Sequence, residues 1–266
     1  MDVLQALVLG VVQGLTEFLP VSSSGHLALT TYHFGWGDGL PLWVGVATNT
    51  GTLLAVLVYL RRDVTVALSG FVRGLWSAQA RREDGWRLAL LVMVGSLPTI
   101  TIGLAFRGYF EQLGNATPVS FALIVTGLVL WTAPRGGPKA DPTALSFADA
   151  LLTGVAQGLA VIPGISRSGA TIGMLLWRGA SPTMAPRLSF LMYLLVSVGV
   201  ALLEAPTVFA EGVAWGALAV MTLASFAVGY LALLVVFAVL KRGRFRVFAP
   251  YLWLIAAITL ARVALT

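Results

Sequence analysis

Gly10-Val-Val-Gln-Gly-Leu-Thr-Glu-Phe-Leu-Pro-Val-Ser-Ser-Ser-Gly25 and Gly154-Val-Ala-Gln-Gly-Leu-Ala-Val-Ile-Pro-Gly-Ile-Ser-Arg-Ser-Gly169 are one motif written twice. At a constant offset of 144, eight of the sixteen positions are identical without a gap. Each copy is an apolar helical run, then a Pro break, then a Ser/Gly turn that opens another apolar run. The copies differ in charge. Glu17 faces Val161, Ser23 faces Arg167 and His26 faces Ala170. One duplicated scaffold thus carries an acid and a histidine in one half and a base in the other.

The setting of this repeat is a membrane. The chain is 58% hydrophobic and 11% charged, with mean hydropathy +0.89, whereas soluble domains carry about 25% charged residues. An all-α integral membrane protein is expected, as one domain over residues 1–266. With no cysteine, disulfides and thiolate metal sites are excluded. Asp2 stands where a basic n-region would be, so no cleavable signal peptide is expected. The formal charge of +6 does not indicate nucleic acid, because the basic residues lie between apolar runs, as topology signals do.

Segments near the roughly 20 residues needed to cross a bilayer fall at about 42–60, 88–106, 117–133, 187–203, 213–239 and 247–265. The motif segments, 2–34 and 147–180, are apolar but broken by Pro, Ser and Gly. Broken backbone at membrane depth is tolerated only where protein buries it or it lines a cavity. Each segment therefore reads as a re-entrant helix–turn–helix pair, with two kinked spans as the alternative. Fourteen of the seventeen Lys and Arg residues fall on one face of this six-span arrangement, which is then cytoplasmic. Asp2, Asp38, Glu111, Glu204 and Glu211 fall on the other face with Arg107, Arg262 and both termini.

Each half is then a re-entrant pair plus three transmembrane helices. Three is odd, so the halves, 1–133 and 147–266, insert with inverted topology, joined by a cytoplasmic linker at 134–146. Their broken tips meet near the midplane, the plan of many transporters. Residues 64–76 read either as an amphipathic interfacial helix or as a loop or span extension.

Glu17 and Arg167 are the two charges expected deep in the membrane, with His26 the intramembrane titratable neutral. Such residues are functional candidates by default, the alternative being an ion pair that only locks the halves together. Ser22, Ser23, Ser24 and Gly25 open one half-helix; Ser166, Arg167, Ser168 and Gly169 open the other. Helix N-termini bind anions, glycine permits close approach, and Arg grips phosphate oxygens bidentately. The pair suits a phosphate or diphosphate; either serine cluster alone reads equally as an N-cap. Thr171 is a further donor to that anion, or bonds back within its helix.

A carboxylate beside phosphate calls for an intervening cation, and a hard divalent ion, Mg²⁺ or Ca²⁺, is expected at Glu17. Gln13, one turn earlier on the same face, either adds an oxygen to that ion or packs between helices. His26 lies one turn after Ser23, which suits a nucleophile and a proton carrier. His33 lies near the membrane surface and is read as bland.

The stretches Gln13 to His26 and Pro163-Gly-Ile-Ser-Arg-Ser-Gly-Ala-Thr171 closely resemble the two signature motifs of the undecaprenyl-diphosphatase family, also called the bacitracin-resistance (BacA or UppP) family. Gly51 to Arg62 and Leu188-Ser-Phe-Leu191 resemble further family segments. The chain departs from the pattern at Asn49, where His or Gln is expected, and lacks the acidic residue expected before it. The resemblance implies removal of one phosphate from undecaprenyl diphosphate, recycling the lipid carrier of peptidoglycan synthesis. It implies that Glu17 helps hold metal and that Ser23 or His26 attacks or shuttles protons. Arg167, Ser166, Ser168 and Thr171 would hold the diphosphate. It also implies a homodimer in the bacterial plasma membrane, among membrane lipids, with the site open to the outer face. The competing readings are a lipid-phosphate transporter built on the same anion site and a structural membrane subunit.

Overall fold

A computed structural model describes residues 2–36, 41–210 and 214–265, without the side chains of Arg107, Glu111 and residues 207–210. The expectations for Asp38 and Glu211 lie outside the described residues, and those for Arg107 and Glu111 outside the described side chains. No strand occurs among the described residues. The chain runs α1 (Val3–Phe18), α2 (Ser23–Phe34), α3 (Leu42–Tyr59), α4 (Arg61–Trp76), α5 (Asp84–Glu111) and α6 (Ala116–Thr132). It continues with α7 (Phe147–Leu159), α8 (Arg167–Trp177), α9 (Met184–Ala210), α10 (Trp215–Lys241) and α11 (Ala249–Leu265).

Five segments among the described residues are long and apolar enough to cross a membrane: Leu42–Tyr59, Asp84–Phe106, Met184–Pro206, Trp215–Lys241 and Phe245–Leu265. This is a multi-pass membrane protein. The sixth expected span, 117–133, is α6, with 17 residues. At 1.5 Å per residue it is roughly 25 Å long, at the lower limit of a crossing helix.

The two motif copies are two helix–break–helix pairs, α1/α2 and α7/α8. Leu19 precedes Pro20 and is extended (φ −61°, ψ 141°), because a residue before proline is pushed out of the α region. In the second copy Pro163 and Gly164 (φ +98°) make the break. A Cβ at Gly164 would sit 2.5 Å from the Val119 carbonyl oxygen, so both conformation and space require glycine there.

The glycines shared by the copies do the same work in each. Gly10 and Gly14 lie against α10, where a Cβ would be 2.8 Å from the Met221 carbonyl oxygen and 2.7 Å from that of Ser225. Gly154 and Gly158 lie against α5: Gly154 meets the Gly95 backbone, and a Cβ at Gly158 would be 2.9 Å from Ile102 Cβ. Small residues four apart let helix backbones approach closely where no hydrophobic drive distinguishes helix from lipid. Each broken pair is thereby clamped to a long helix of the other half of the chain.

Residues 64–76 belong to α4, so the loop and span-extension readings do not hold. Leu60 (φ −96°, ψ 18°) leaves helical geometry and separates α4 from α3. Gly70 and Gly74 turn towards Gly85 and Trp86 of α5, while Leu68, Val72, Leu75 and Trp76 are exposed.

Glu17 and Arg167 are not the only charges inside the protein. Asp149, in the first turn of α7, is fully buried. Its carboxylate takes Lys139 Nζ at 2.7 Å, Arg178 Nε at 2.7 Å and the Ser146 N–H at 2.9 Å. Burial alone would raise its pKa; the bonds from Lys139, the Ser146 backbone and Arg178 outweigh it and hold the carboxyl well below the usual carboxylate range. The 134–146 linker is pinned by the same group and by Lys139, which pairs with Ala180 as an isolated bridge.

Candidate active site

The site forms where the two breaks meet. Ser168 Oγ donates to the Leu19 carbonyl oxygen at 3.2 Å, and Gly25 lies against the backbone of Gly164. Thr126 of α6 steadies the second tip, donating to the Gly164 carbonyl at 2.9 Å and accepting the Ser166 N–H at 3.1 Å.

Glu17 is the hub. It is 8% exposed. Its Oε2 accepts from Ser23 Oγ at 2.5 Å and from Gln13 Nε2 at 2.8 Å. Its Oε1 faces Arg167 Nη1 at 3.5 Å. Gln13 presents its amide NH₂ to Glu17 and to Asn49 Oδ1, the latter at 2.9 Å. In this arrangement its donors orient the carboxylate. Asn49, the departure from the family pattern, has a polar role in holding Gln13.

Arg167 sits at the start of α8, its guanidinium 4.8 Å from the centre of the Tyr193 ring and 3.4 Å from Ser197 Oγ. Phe18, Phe190 and Tyr193 wall the site, with Phe18 edge-on to the other two at 5.4 and 6.0 Å. The cavity bounded by Glu17, Phe18, Arg167, Ser168, Ser189, Phe190 and Tyr193 is about 10 Å³, room for one water at most.

The remaining candidates are placed as follows. Ser22 and Ser166 are N-caps, accepting the N–H of Gly25 at 3.3 Å and of Gly169 at 3.1 Å. Ser22 is the one non-glycine with positive φ (71°) among the described residues, a strained geometry of the kind that clusters at functional sites. Ser24 is exposed at the first tip. Ser168 also lies 3.2 Å from Ser166 Oγ. Thr171 is fully buried and bonds back to the Arg167 carbonyl at 2.8 Å and across to Ser189 Oγ at 2.6 Å. It braces α8 against α9.

His26 stands apart from the Glu17 cluster. Its Nδ1 lies 2.8 Å from the Ser22 carbonyl oxygen and its Nε2 2.8 Å from Tyr251 Oη. A carbonyl only accepts, so Nδ1 carries the hydrogen and Nε2 accepts from Tyr251. The two rings stack at 5.6 Å. His33 bonds Thr259 at 3.1 Å and Arg262 at 3.0 Å at the far end of α2.

No group of three or more His, Asp or Glu side chains converges among the described residues. Glu17 with neutral oxygens nearby still fits a hard divalent ion, since such ions are held by one or two carboxylates and take the rest of their shell from phosphate oxygens and water.

Comparison with known proteins gives the family. The family described as "Bacitracin resistance protein BacA" matches residues 6–258. A protein of Acaryochloris marina named "Undecaprenyl-diphosphatase" is 60% identical over 265 residues, covering all of both chains. Proteins of the same name from Desulforapulum autotrophicum and Rubrobacter xylanophilus are each 41% identical, covering 98% and 100% of both chains. The chain belongs to the bacitracin resistance protein BacA family.

Proposed function

We propose that the chain is a membrane phosphatase that hydrolyses undecaprenyl diphosphate to undecaprenyl phosphate and inorganic phosphate. The observation that carries this reading is the meeting of Glu17, Ser23 and Arg167, drawn from two copies of one motif, in a chain with full-length likeness to proteins of that name. Arg167 grips the diphosphate, and the α2 and α8 N-termini add backbone donors. Glu17 Oε2 takes the Ser23 proton as the Ser23 oxygen attacks the terminal phosphorus; the bridging P–O bond breaks, undecaprenyl phosphate leaves and a phosphoserine remains. Water, giving its proton to His26 Nε2 in place of the Tyr251 contact, then attacks that phosphorus; inorganic phosphate leaves and the Ser23 oxygen takes its proton back from Glu17.

Glu17, with Gln13 one turn away, would hold a divalent ion, Mg²⁺ or Ca²⁺, once the substrate draws Arg167 off Oε1. When bound, that ion neutralises charge on the phosphates. The cavity is too small for a diphosphate, so substrate binding separates Arg167 from Glu17 and replaces one anionic partner with another.

In the membrane, α1/α2 and α7/α8 are re-entrant pairs of an inverted repeat, residues 1–133 and 147–266, with 134–146 as a cytoplasmic linker. The motif offset and the equivalent glycine contacts support this. The basic loops face the cytoplasm of a bacterial cell, the site opens to the outer face of the plasma membrane, and two copies form a homodimer. The polyprenyl tail stays in lipid while the headgroup enters between the tips.

The test is phosphate release from a polyprenyl diphosphate by purified protein in detergent, with and without Mg²⁺ or Ca²⁺, beside Glu17→Ala and Arg167→Ala. Metal-dependent release lost in both variants is expected. No release from well-folded wild-type protein would sink the reading and favour lipid-phosphate transport.

A further inference from the structure

We infer that Tyr193 is the positioning residue for Arg167, a platform that aims the guanidinium at the diphosphate while leaving its donors free. This deepens the phosphatase reading and rests on Arg167 being the diphosphate grip.

The polar contacts of Arg167 are loose. Glu17 Oε1 is at 3.5 Å and Ser197 Oγ at 3.4 Å, against about 2.7–2.9 Å for a strong charge-assisted bond. Both engage the same nitrogen, Nη1. Neither contact fixes the plane of a guanidinium on a long, flexible side chain.

The Tyr193 ring does. It lies 4.8 Å from Arg167 Cζ, inside the roughly 6 Å reach of a cation–π contact. The ring is itself held fast. It is 3% exposed, its hydroxyl is 3.1 Å from Thr52 Oγ1 of α3, and Phe18 meets it edge to face at 6.0 Å. Tyr193 comes from α9 and Thr52 from α3, so both halves of the chain set the ring.

The chemistry of the contact matters. A carboxylate that held Arg167 would consume the N–H groups that phosphate needs and would repel the phosphate. An aromatic face attracts the cation through its π cloud and takes no N–H, so the guanidinium edge stays available for bidentate contact. Tyr193 also borders the small cavity with Arg167 and Glu17, where low polarity strengthens the attraction.

The experiment uses full-length protein in detergent and two readouts: affinity for inorganic pyrophosphate with Mg²⁺ by calorimetry, and steady-state kinetics on a polyprenyl diphosphate. Tyr193→Leu should weaken pyrophosphate and raise KM about 3- to 30-fold, with a smaller fall in kcat. Tyr193→Phe keeps the ring and should recover most of that loss. In an Arg167→Ala background, adding Tyr193→Leu should leave pyrophosphate affinity unchanged. Tyr193→Met is the second variant should Tyr193→Leu unfold, with melting temperature as the control.

Wild-type affinity in Tyr193→Leu or Tyr193→Met, equal impairment in Tyr193→Phe, or a loss that persists without Arg167 would overturn the proposal. A wild type that binds pyrophosphate but hydrolyses nothing defeats the phosphatase reading alone, and the binding arm still decides Tyr193. A wild type that hydrolyses the polyprenyl diphosphate but binds no pyrophosphate keeps the phosphatase reading and overturns the assignment of Arg167, with Tyr193, as the diphosphate grip.

Discussion

Arg167 Nη1 stands 3.5 Å from Glu17 Oε1, although the two residues are 150 positions apart in the chain. Each lies in one copy of the motif, at positions where the other copy has Ser23 and Val161. A pair that only locked two halves together would be replaceable by neutral groups, since a buried pair often contributes little net stability. Glu17→Gln and Arg167→Gln should each reduce phosphate release by about 10²-fold or more. Each single variant leaves one charge without its partner and should lower stability by roughly 1–3 kcal/mol, discounted because Arg167 reaches solvent. The double variant should regain stability in a detergent melt and stay inactive. Recovered activity in the double variant would reduce the pair to a lock.

Ser23 and His26 are one turn apart on α2 yet have different partners. Ser23 donates to Glu17 at 2.5 Å, and His26 accepts from Tyr251 at 2.8 Å. Ser23→Ala should therefore abolish turnover, a fall of about 10³-fold or more, while pyrophosphate still binds. His26→Ala should cost about 10²-fold in kcat. Tyr251→Phe should change kcat only a few-fold, the scale of one hydrogen bond, and should add nothing in a His26→Ala background. Additive losses at 26 and 251 would show that Tyr251 acts through another residue.

The breaks and the shared glycines were legible because they are local signals. Pro20, Pro163, Gly164 and the serines that cap α2 and α8 each constrain their own few residues of backbone. Asn49, Tyr193, Ser197 and Tyr251 were not legible. They reach the site from α3, α9 and α11, and one polar or aromatic side chain on a long apolar helix carries no periodic signature of its target. Asp149 had a readable trace, the Ser146-x-x-Asp149 capping box at the start of α7. Its pairing with Lys139 and Arg178 depends on how the linker folds back, which no spacing announces.

The duplicated glycines give a packing prediction. A Cβ on Gly14 would lie 2.7 Å from the Ser225 carbonyl oxygen, and one on Gly158 2.9 Å from Ile102 Cβ. The α10 backbone cannot rotate away, and neither can Ile102 Cβ, which is fixed to the α5 backbone on a β-branched side chain. Gly14→Ala and Gly158→Ala should each destabilise by about 1–3 kcal/mol. Glu17 follows Gly14 by three residues, so moving α1 off α10 also shifts the carboxylate. Gly14→Ala should lower phosphate release beyond its effect on the melting midpoint. Equal activity per folded molecule would separate helix packing from site geometry.

Asp149 ties the linker, α7 and α8 together and supplies the acid response. Its folded pKa lies below the ordinary carboxylate value of about 3.9 because Lys139, Ser146 and Arg178 favour the charged form against its burial. A depressed folded pKa means that the unfolded chain binds the proton more readily. The stabilisation is therefore fully present above the unfolded pKa and fades as pH falls from there through the folded pKa. Asp149→Asn should destabilise at pH 7 by roughly 2–4 kcal/mol, less than a sealed pair would because Lys139 and Arg178 are partly exposed. Between pH 7 and pH 3 the gap between wild type and Asp149→Asn in detergent melts should narrow only at the acid end. A gap that closes near pH 6 would assign the effect to another titrating group, since Asp149 keeps its charge there in both folded and unfolded chains.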